Sequence, residues 1–211
     1  MRVRAALVDR PGSVAAKARQ RRWAMLLDRF PRLGEMDVVD LGGTVDYWLS
    51  APVRPRTLCV VNLRGSELGE PPSWARTVEA DACTWSPSGR YDLVVSNSLI
   101  EHLTGWERRR MLSDQIHRLA DHHWVQTPYR YFPVEPHWIC PFLQHAPVAV
   151  RAWVSRWWPL MHSRAQDWHT SVYNALEVDL LSKTEMRWLF PDSQLLVEGW
   201  MGLPKALIAT R

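Results

Sequence analysis

The chain has 211 residues, enough for one domain with a single core, and it is read as one domain over 1–211. Apolar residues make up 46% and charged residues 23%, the balance of a soluble globular protein. The net charge of +4 is too mild for a nucleic-acid partner, and its clusters at Lys17–Arg22 and Arg108–Arg110 read as solvated helix faces. No run approaches the roughly 18 uninterrupted apolar residues of a membrane span. The start, Met1-Arg2-Val3-Arg4, lacks the apolar run of a secretory signal, so a cytoplasmic location is expected. Cys59, Cys83 and Cys140 are far apart, form no Cys-x-x-Cys pattern, and read as small buried residues. Thirteen tryptophans stand out, many between Trp124 and Trp200; such a set can fill a core, line a sugar or aromatic pocket, or form a dimer contact.

Ser13 is placed to cap a helix from Val14 to Phe30, which Pro31 and Gly34 end. Residues 1–34 read as an N-terminal helical cap. Short apolar runs follow at Val38–Leu41, Leu58–Leu63, Tyr91–Val95, Trp124–Gln126, Leu195–Glu198 and Ala206–Thr210. Bounded by Asp, Gly, Pro or Asn, they read as buried strands. Helices fall between them, as at Trp106–Ala120, where Met111, Leu112, Ile116 and Leu119 form the apolar face. Strand–helix–strand alternation predicts a doubly wound parallel α/β sheet. The link from Glu198 to Ala206 is too short for a helical crossover, so the last strand is antiparallel.

From Tyr129 to about Leu176 the rhythm breaks. This stretch carries Pro133, Pro136, Pro141, Pro147 and Pro159, and also His137, His145, His162 and His169. It is too long for a simple connection, so 129–190 is read as an insertion, a lid that forms the acceptor site.

The first strand ends in Asp40-Leu41-Gly42-Gly43-Thr44. A glycine turn lets the backbone approach a ligand, and open α/β sheets bind ligands outside the carboxyl ends of their strands. The Gly-x-Gly-x-x-Gly of dinucleotide enzymes is absent. A carboxylate before the glycines repels a pyrophosphate and suits a cationic amino group. Asn62, closing the second strand, can bond ribose hydroxyls, and Asp81 can accept from an adenine amine. Then Tyr91-Asp92-Leu93-Val94-Val95-Ser96-Asn97-Ser98-Leu99-Ile100-Glu101-His102-Leu103 carries a strand into a polar turn and a helix.

This succession resembles the class I S-adenosylmethionine-dependent methyltransferases, from about Asp37 to Pro128 and again at the closing hairpin. The resemblance implies a Rossmann-like seven-stranded sheet with a reversed last strand and S-adenosylmethionine as cofactor. It places Asp40, Gly42 and Gly43 around the methionine part, Asn62 and Leu63 at ribose and adenine, Asp81 and Ala82 beside adenine, and Asn97 and Ser98 under the sulfonium. Two departures stand out: the glycines are compressed to an adjacent pair, and the usual acidic residue of the second strand is Asn62. Tyr47, Trp48 and Trp85 are candidates for cation–π contact with the sulfonium.

Methyl transfer to oxygen calls for in-line alignment and a base near neutral pH. His102 and His137 are the candidates. The segment Arg130-Tyr131-Phe132-Pro133-Val134-Glu135-Pro136-His137 looks like that of a bacterial subgroup of these enzymes, some of which act on sugars or polysaccharides. Glu135 and His137 can form a base with its orienting carboxylate, or supply two ligands to a divalent cation such as Mg2+ that holds a sugar diol. The metal ligands themselves stay unassigned. The expected acceptor is a small molecule or glycan, with O-methylation in polysaccharide biosynthesis first. A lipid-like, quinone or polyketide hydroxyl is second, and an inactive cofactor-binding partner subunit third. The apolar surface of the insertion makes a homodimer an expectation.

Overall fold

The computed structural model describes residues 13–66, 68–160 and 165–211. The first part of the N-terminal cap and His162 lie outside the described residues. Helix α1, Val14–Arg29, starts where expected, and the Ser13 hydroxyl accepts from the Ala16 N–H at 3.1 Å. After it come β1 (Asp37–Leu41), a short α2 (Val45–Leu49), β2 (Thr57–Asn62), β3 (Ala75–Glu79) and β4 (Leu93–Asn97). Then follow α3 (Trp106–Leu119) and β5 (His122–Pro128). The insertion holds a hairpin of β6 (Val134–Glu135) and β7 (Cys140–Pro141), then α4 (Val148–Trp157) and α5 (Trp168–Glu177). Helix α6 (Lys183–Leu189), β8 (Gln194–Trp200) and β9 (Leu203–Thr210) complete the chain.

One seven-stranded sheet runs β3-β2-β1-β4-β5-β9-β8. β1 to β5 pair in parallel, and β9 is antiparallel to both β5 and β8. This is the expected doubly wound architecture with a reversed last strand. The strand order reverses between β1 and β4, so the ligand crevice of such a sheet opens at their carboxyl ends.

The strands are buried on both faces, as a covered parallel sheet requires. Val38, Leu58, Val60, Leu93 and Val95 face α1, packing with Trp23, Leu26 and Phe30. Val39, Leu41, Val61, Val94 and Val125 face α3 and α6, packing with Leu112, Ile116, Met186 and Phe190. The three cysteines are buried and free, as read from their spacing. Strand β3 was not among the expected runs. It is an edge strand reading Ala-Arg-Thr-Val-Glu, only partly buried, so its sequence carries no apolar run.

The insertion has a small core of its own: Trp138, Cys140, Leu143, Ala152 and Ala175. Both of its roots are tied to the sheet body. Arg130 donates to the Leu180 carbonyl, to Asp179 and to Glu185. Arg109 donates to the Leu103 carbonyl and to the carbonyl and carboxylate of Asp179. This corrects the reading of Arg108–Arg110 as a solvated face, since Arg109 is only 2% exposed. A buried guanidinium is tolerated here because carbonyls and a carboxylate take up its donors. No helix among the described residues is long and apolar enough to cross a membrane.

Candidate functional site

Two groups of polar side chains meet at the carboxyl edge of β1, β4 and β5. The first surrounds the glycine turn. Asp40 is buried beneath it, and one carboxylate oxygen accepts from the Trp48 indole at 2.7 Å. The other oxygen, Oδ1, is buried without a partner. Burial pushes the Asp40 pKa up to about 7, against the lowering effect of the Trp48 bond. The two glycines are needed for this arrangement. Gly42 has φ +79°, and a Cβ there would stand 2.8 Å from Leu99 Cδ1. A Cβ on Gly43 would fall 1.9 Å from the Asp40 carboxylate. The adjacent pair threads the backbone between Asp40 and Leu99, which explains why the usual spacing can be compressed.

Asn97, at the end of β4, leaves both polar atoms of its side chain buried and unpartnered. The Tyr47 hydroxyl, also buried and unpartnered, is close enough to Asn97 for each to bear on the other. Trp23 of α1 stacks on Tyr47 at 4.7 Å and packs edge-on against Trp48 at 5.2 Å. Buried polar atoms are ordinarily satisfied, so Asp40 Oδ1, Tyr47 Oη and the Asn97 amide mark a place prepared for polar ligand atoms. Of the three aromatics considered for a sulfonium, Trp48 is engaged with Asp40 and Trp85 packs against the main core. Tyr47 remains.

The adenosine side is built differently. The Asn62 amide donates to the Gly43 carbonyl, while its oxygen accepts from the Leu63 N–H and the Ser66 hydroxyl. Asn62 thus pins the glycine turn to the end of β2, and Leu63 beside it is exposed. Asp81 takes a two-bond contact from Arg108, at 2.9 Å each, and accepts from the Cys83 N–H. Arg108 holds the Asp81 carboxyl below its usual range. Ala82 is buried in the main core.

The second group joins the sheet to the insertion. Ser98 sits in the left-handed region at φ +54°, and its N–H bonds the Gln126 carbonyl. That turn leads into a short 3-10 helix, Ile100–His102. Glu101 is fully buried there; its Oε2 accepts from the Thr127 hydroxyl of β5 at 2.9 Å, and Oε1 has no partner. His137, in the turn between β6 and β7, bonds through Nδ1 to Glu135 at 2.7 Å. The second Glu135 oxygen accepts from the Trp138 N–H. The His102 and His137 rings meet edge-to-face at 5.1 Å. Burial lowers the His102 pKa, helped by the neighbouring His137. Burial also lowers that of His137, but the hydrogen bond and charge of Glu135, with Glu101 and Glu177, carry it above its ordinary value.

The structure therefore brings His102, His137 and Glu135 together, although His102 and His137 are 35 positions apart in the sequence. It also adds Glu101, for which the sequence alone implies no role. The available signal was its place beside His102 in Ile-Glu-His-Leu. A buried carboxylate there needs a reason, and burial is not visible in sequence. His145 stacks on Tyr131, away from this cluster's contacts.

A family model described as a methyltransferase domain matches residues 15–198. The chain belongs to this family. Its fold is similar to that of N-methyltransferase NodS from Bradyrhizobium japonicum WM9 in complex with S-adenosyl-L-homocysteine. The TM-score is 0.59 at 12% identity, covering 97% of this chain and 88% of that one. It is similar as well to magnesium protoporphyrin IX methyltransferase (ChlM) from Synechocystis PCC 6803 with bound S-adenosylhomocysteine, with TM-score 0.54 at 12% identity over 100% and 93% of the two chains. A third likeness is to the Burkholderia thailandensis 1,6-didemethyltoxoflavin-N1-methyltransferase, with TM-score 0.52 at 15% identity over 92% and 76%. No curated protein matches the chain in sequence.

Proposed function

We propose that this protein is an S-adenosylmethionine-dependent O-methyltransferase acting on a hydroxyl of a sugar or glycan intermediate. The observation that carries the reading is the Glu101–His102–His137–Glu135 cluster, set beside the crevice at the strand-order reversal. A family of methyltransferases, with solved relatives holding S-adenosylhomocysteine, supports the cofactor.

The residues present fit that cofactor. Asp40 Oδ1 and the Asn97 amide supply an acceptor set for a cationic amino group beneath the turn. The Gly42–Gly43 backbone lines the methionine part. Leu63 and Asn62 face ribose, with Asn62 acting chiefly through the turn that it pins. Asp81 and Ala82 flank adenine; Asp81 Oδ2 keeps a lone pair beyond its Arg108 bond, while Oδ1 is taken by Arg108 and the Cys83 N–H. Ser98 and Tyr47 lie at the sulfonium side. S-adenosylmethionine supplies a methyl group on a positively charged sulfur. The acceptor oxygen attacks that methyl carbon, the carbon–sulfur bond breaks, and its electron pair neutralises the sulfur. The hydroxyl proton must leave, and His137, oriented by Glu135, or His102 is the group positioned to receive it. An amine with a free lone pair has less need of such a group, which favours an oxygen acceptor.

Aromatic side chains on the insertion suit a sugar ring. Tyr131 is 58% exposed, next to the Arg130 root. The acceptor test is transfer of labelled methyl to a panel of mono- and oligosaccharides. Incorporation supports the reading; transfer only to another class overturns the substrate and keeps the enzyme. A second reading, a lipid-like, quinone or polyketide hydroxyl, draws on the exposed Trp153 and Trp157 of α4. Flotation with vesicles discriminates it. A homodimer through the same face is tested by sedimentation. S-adenosylhomocysteine binding in a calorimetric titration, with no transfer to any acceptor, would instead favour an inactive cofactor-binding partner subunit.

A further inference from the structure

We propose that Glu101, His102 and His137 form a divalent transition-metal site that binds the acceptor hydroxyl. One carboxylate oxygen and one nitrogen from each ring lie within 4.8 Å of one another. Two of the three ligand atoms are set by the other contacts of their residues. Glu101 is held through Oε2 by Thr127, which leaves the fully buried Oε1 unpartnered. His137 is held through Nδ1 by Glu135, which leaves Nε2 for the ion. Glu135 is fixed in turn by the Trp138 N–H. A carboxylate behind a ligating imidazole is the arrangement that fixes the ring and raises its basicity. The sequence leaves two roles open for Glu135, the orienting carboxylate of His137 or a ligand beside it. The structure puts Glu135 in the supporting shell and Glu101 in its place.

The donor set decides the class of ion. Two imidazoles and a carboxylate suit zinc, manganese or iron(II), whereas magnesium prefers an all-oxygen octahedron. Three protein ligands leave positions open, and an open position on a Lewis acid lowers the pKa of a bound hydroxyl. With an ion in place the imidazoles act as ligands and not as bases. The bound hydroxyl then gives its proton to solvent, and the oxygen attacks the methyl carbon as the carbon–sulfur pair passes to sulfur. Two adjacent open positions would take a vicinal diol, which deepens the sugar reading and rests on it. The metal site itself does not rest on that reading. An ion here would also link the end of β4 to the β6–β7 turn, fastening the insertion over the crevice.

The test uses the full chain and cobalt(II) or manganese(II) chloride alone. The proposal expects one ion per chain, visible-region cobalt absorption of a nitrogen-ligated site, and a rise in Tm. Affinity falls at least about tenfold in His137→Ala and in Glu101→Gln. Glu135→Gln is a milder variant that keeps the fold if the others lose it, and it still weakens binding. No stoichiometric binding by the wild type, or equal binding by all three variants, overturns the metal site. Chelator-resistant methyl transfer to oxygen overturns its part in catalysis. One bound ion with transfer to nitrogen alone leaves the metal site standing and overturns the oxygen acceptor.

Discussion

The glycine turn and the β6–β7 turn both present buried carboxylates near the crevice, yet they are built on different scales. At the glycine turn, the immediate contacts of the Asp40 carboxylate come from one turn and one short helix, and Gly43 and Trp48 sit within eight residues of Asp40. At the insertion, Glu101 and His102 follow β4 while Glu135 and His137 arrive from a separate hairpin. The first is preset by local sequence. The second exists only when the insertion is seated through Arg130, Arg109 and Asp179. On the proposed reading, the glycine turn binds cofactor without the insertion, and the assembled cluster serves the acceptor.

The sharpest way to break this comparison is His137→Ala. Turnover should fall by about 100-fold or more, the usual scale for a positioned acid–base or ligand group, while S-adenosylhomocysteine affinity changes little. A parallel loss of cofactor affinity, read by calorimetry, would merge the two sites into one. Gly43→Ala is the converse. Its added methyl strikes the Asp40 carboxylate, so cofactor affinity should drop at least about tenfold, a loss of about 1.4 kcal/mol. Cobalt binding at the insertion should persist.

Asp40→Asn sharpens the reading of the turn. The folded Asp40 pKa of about 7 lies above its ordinary 3.8. Its protonated form favours the apo fold fully below about pH 3.8, and that contribution is lost as pH rises through about 7. An asparagine keeps the Trp48 bond and never ionises. The variant's apo Tm should therefore exceed that of the wild type by a margin that grows from pH 4 to 7 and then levels off. Its cofactor affinity should be lower, since the carboxylate is gone. A variant that bound cofactor normally would remove Asp40 from the amino-group role.

The smallest effect is a control outside both sites. His123 is fully buried on β5 and bonds the Ser193 hydroxyl at 2.7 Å. Burial, with the charge of His117, lowers its pKa to about 4. Stability from the neutral ring is complete above pH 6.5 and is lost as pH falls toward 4. His123→Gln should flatten that acid decline in Tm without altering turnover at neutral pH.

The same contrast explains what the sequence disclosed. The strand–turn segment Asp40–Gly43 was legible because its meaning is local: a carboxylate, then backbone freedom. The reversed last strand was legible because seven residues cannot make a helical crossover. Strand β3 was not, since an exposed edge strand hides its pattern under charges. Arg109 was misread with its neighbours because helical spacing alone cannot tell that Asp179, 70 residues on, returns to meet it. Asp81 was read as an acceptor for adenine, and the Arg108 contact that half-occupies it was invisible for the same reason. His102 and His137 were each named as candidates, but their meeting, and the part of Glu101, depends on how the insertion docks. Local chemistry could be read directly, while chemistry assembled across the chain needed coordinates.

The central claim is tested most directly by a crystal structure of the wild-type chain with S-adenosylhomocysteine. The account predicts the amino group against Asp40 Oδ1 and Asn97, adenine beside Asp81, and the sulfur open toward the Glu101–His102–His137 cluster. A cofactor product lying elsewhere, with Asp40 Oδ1 and Asn97 still unpartnered, would contradict it.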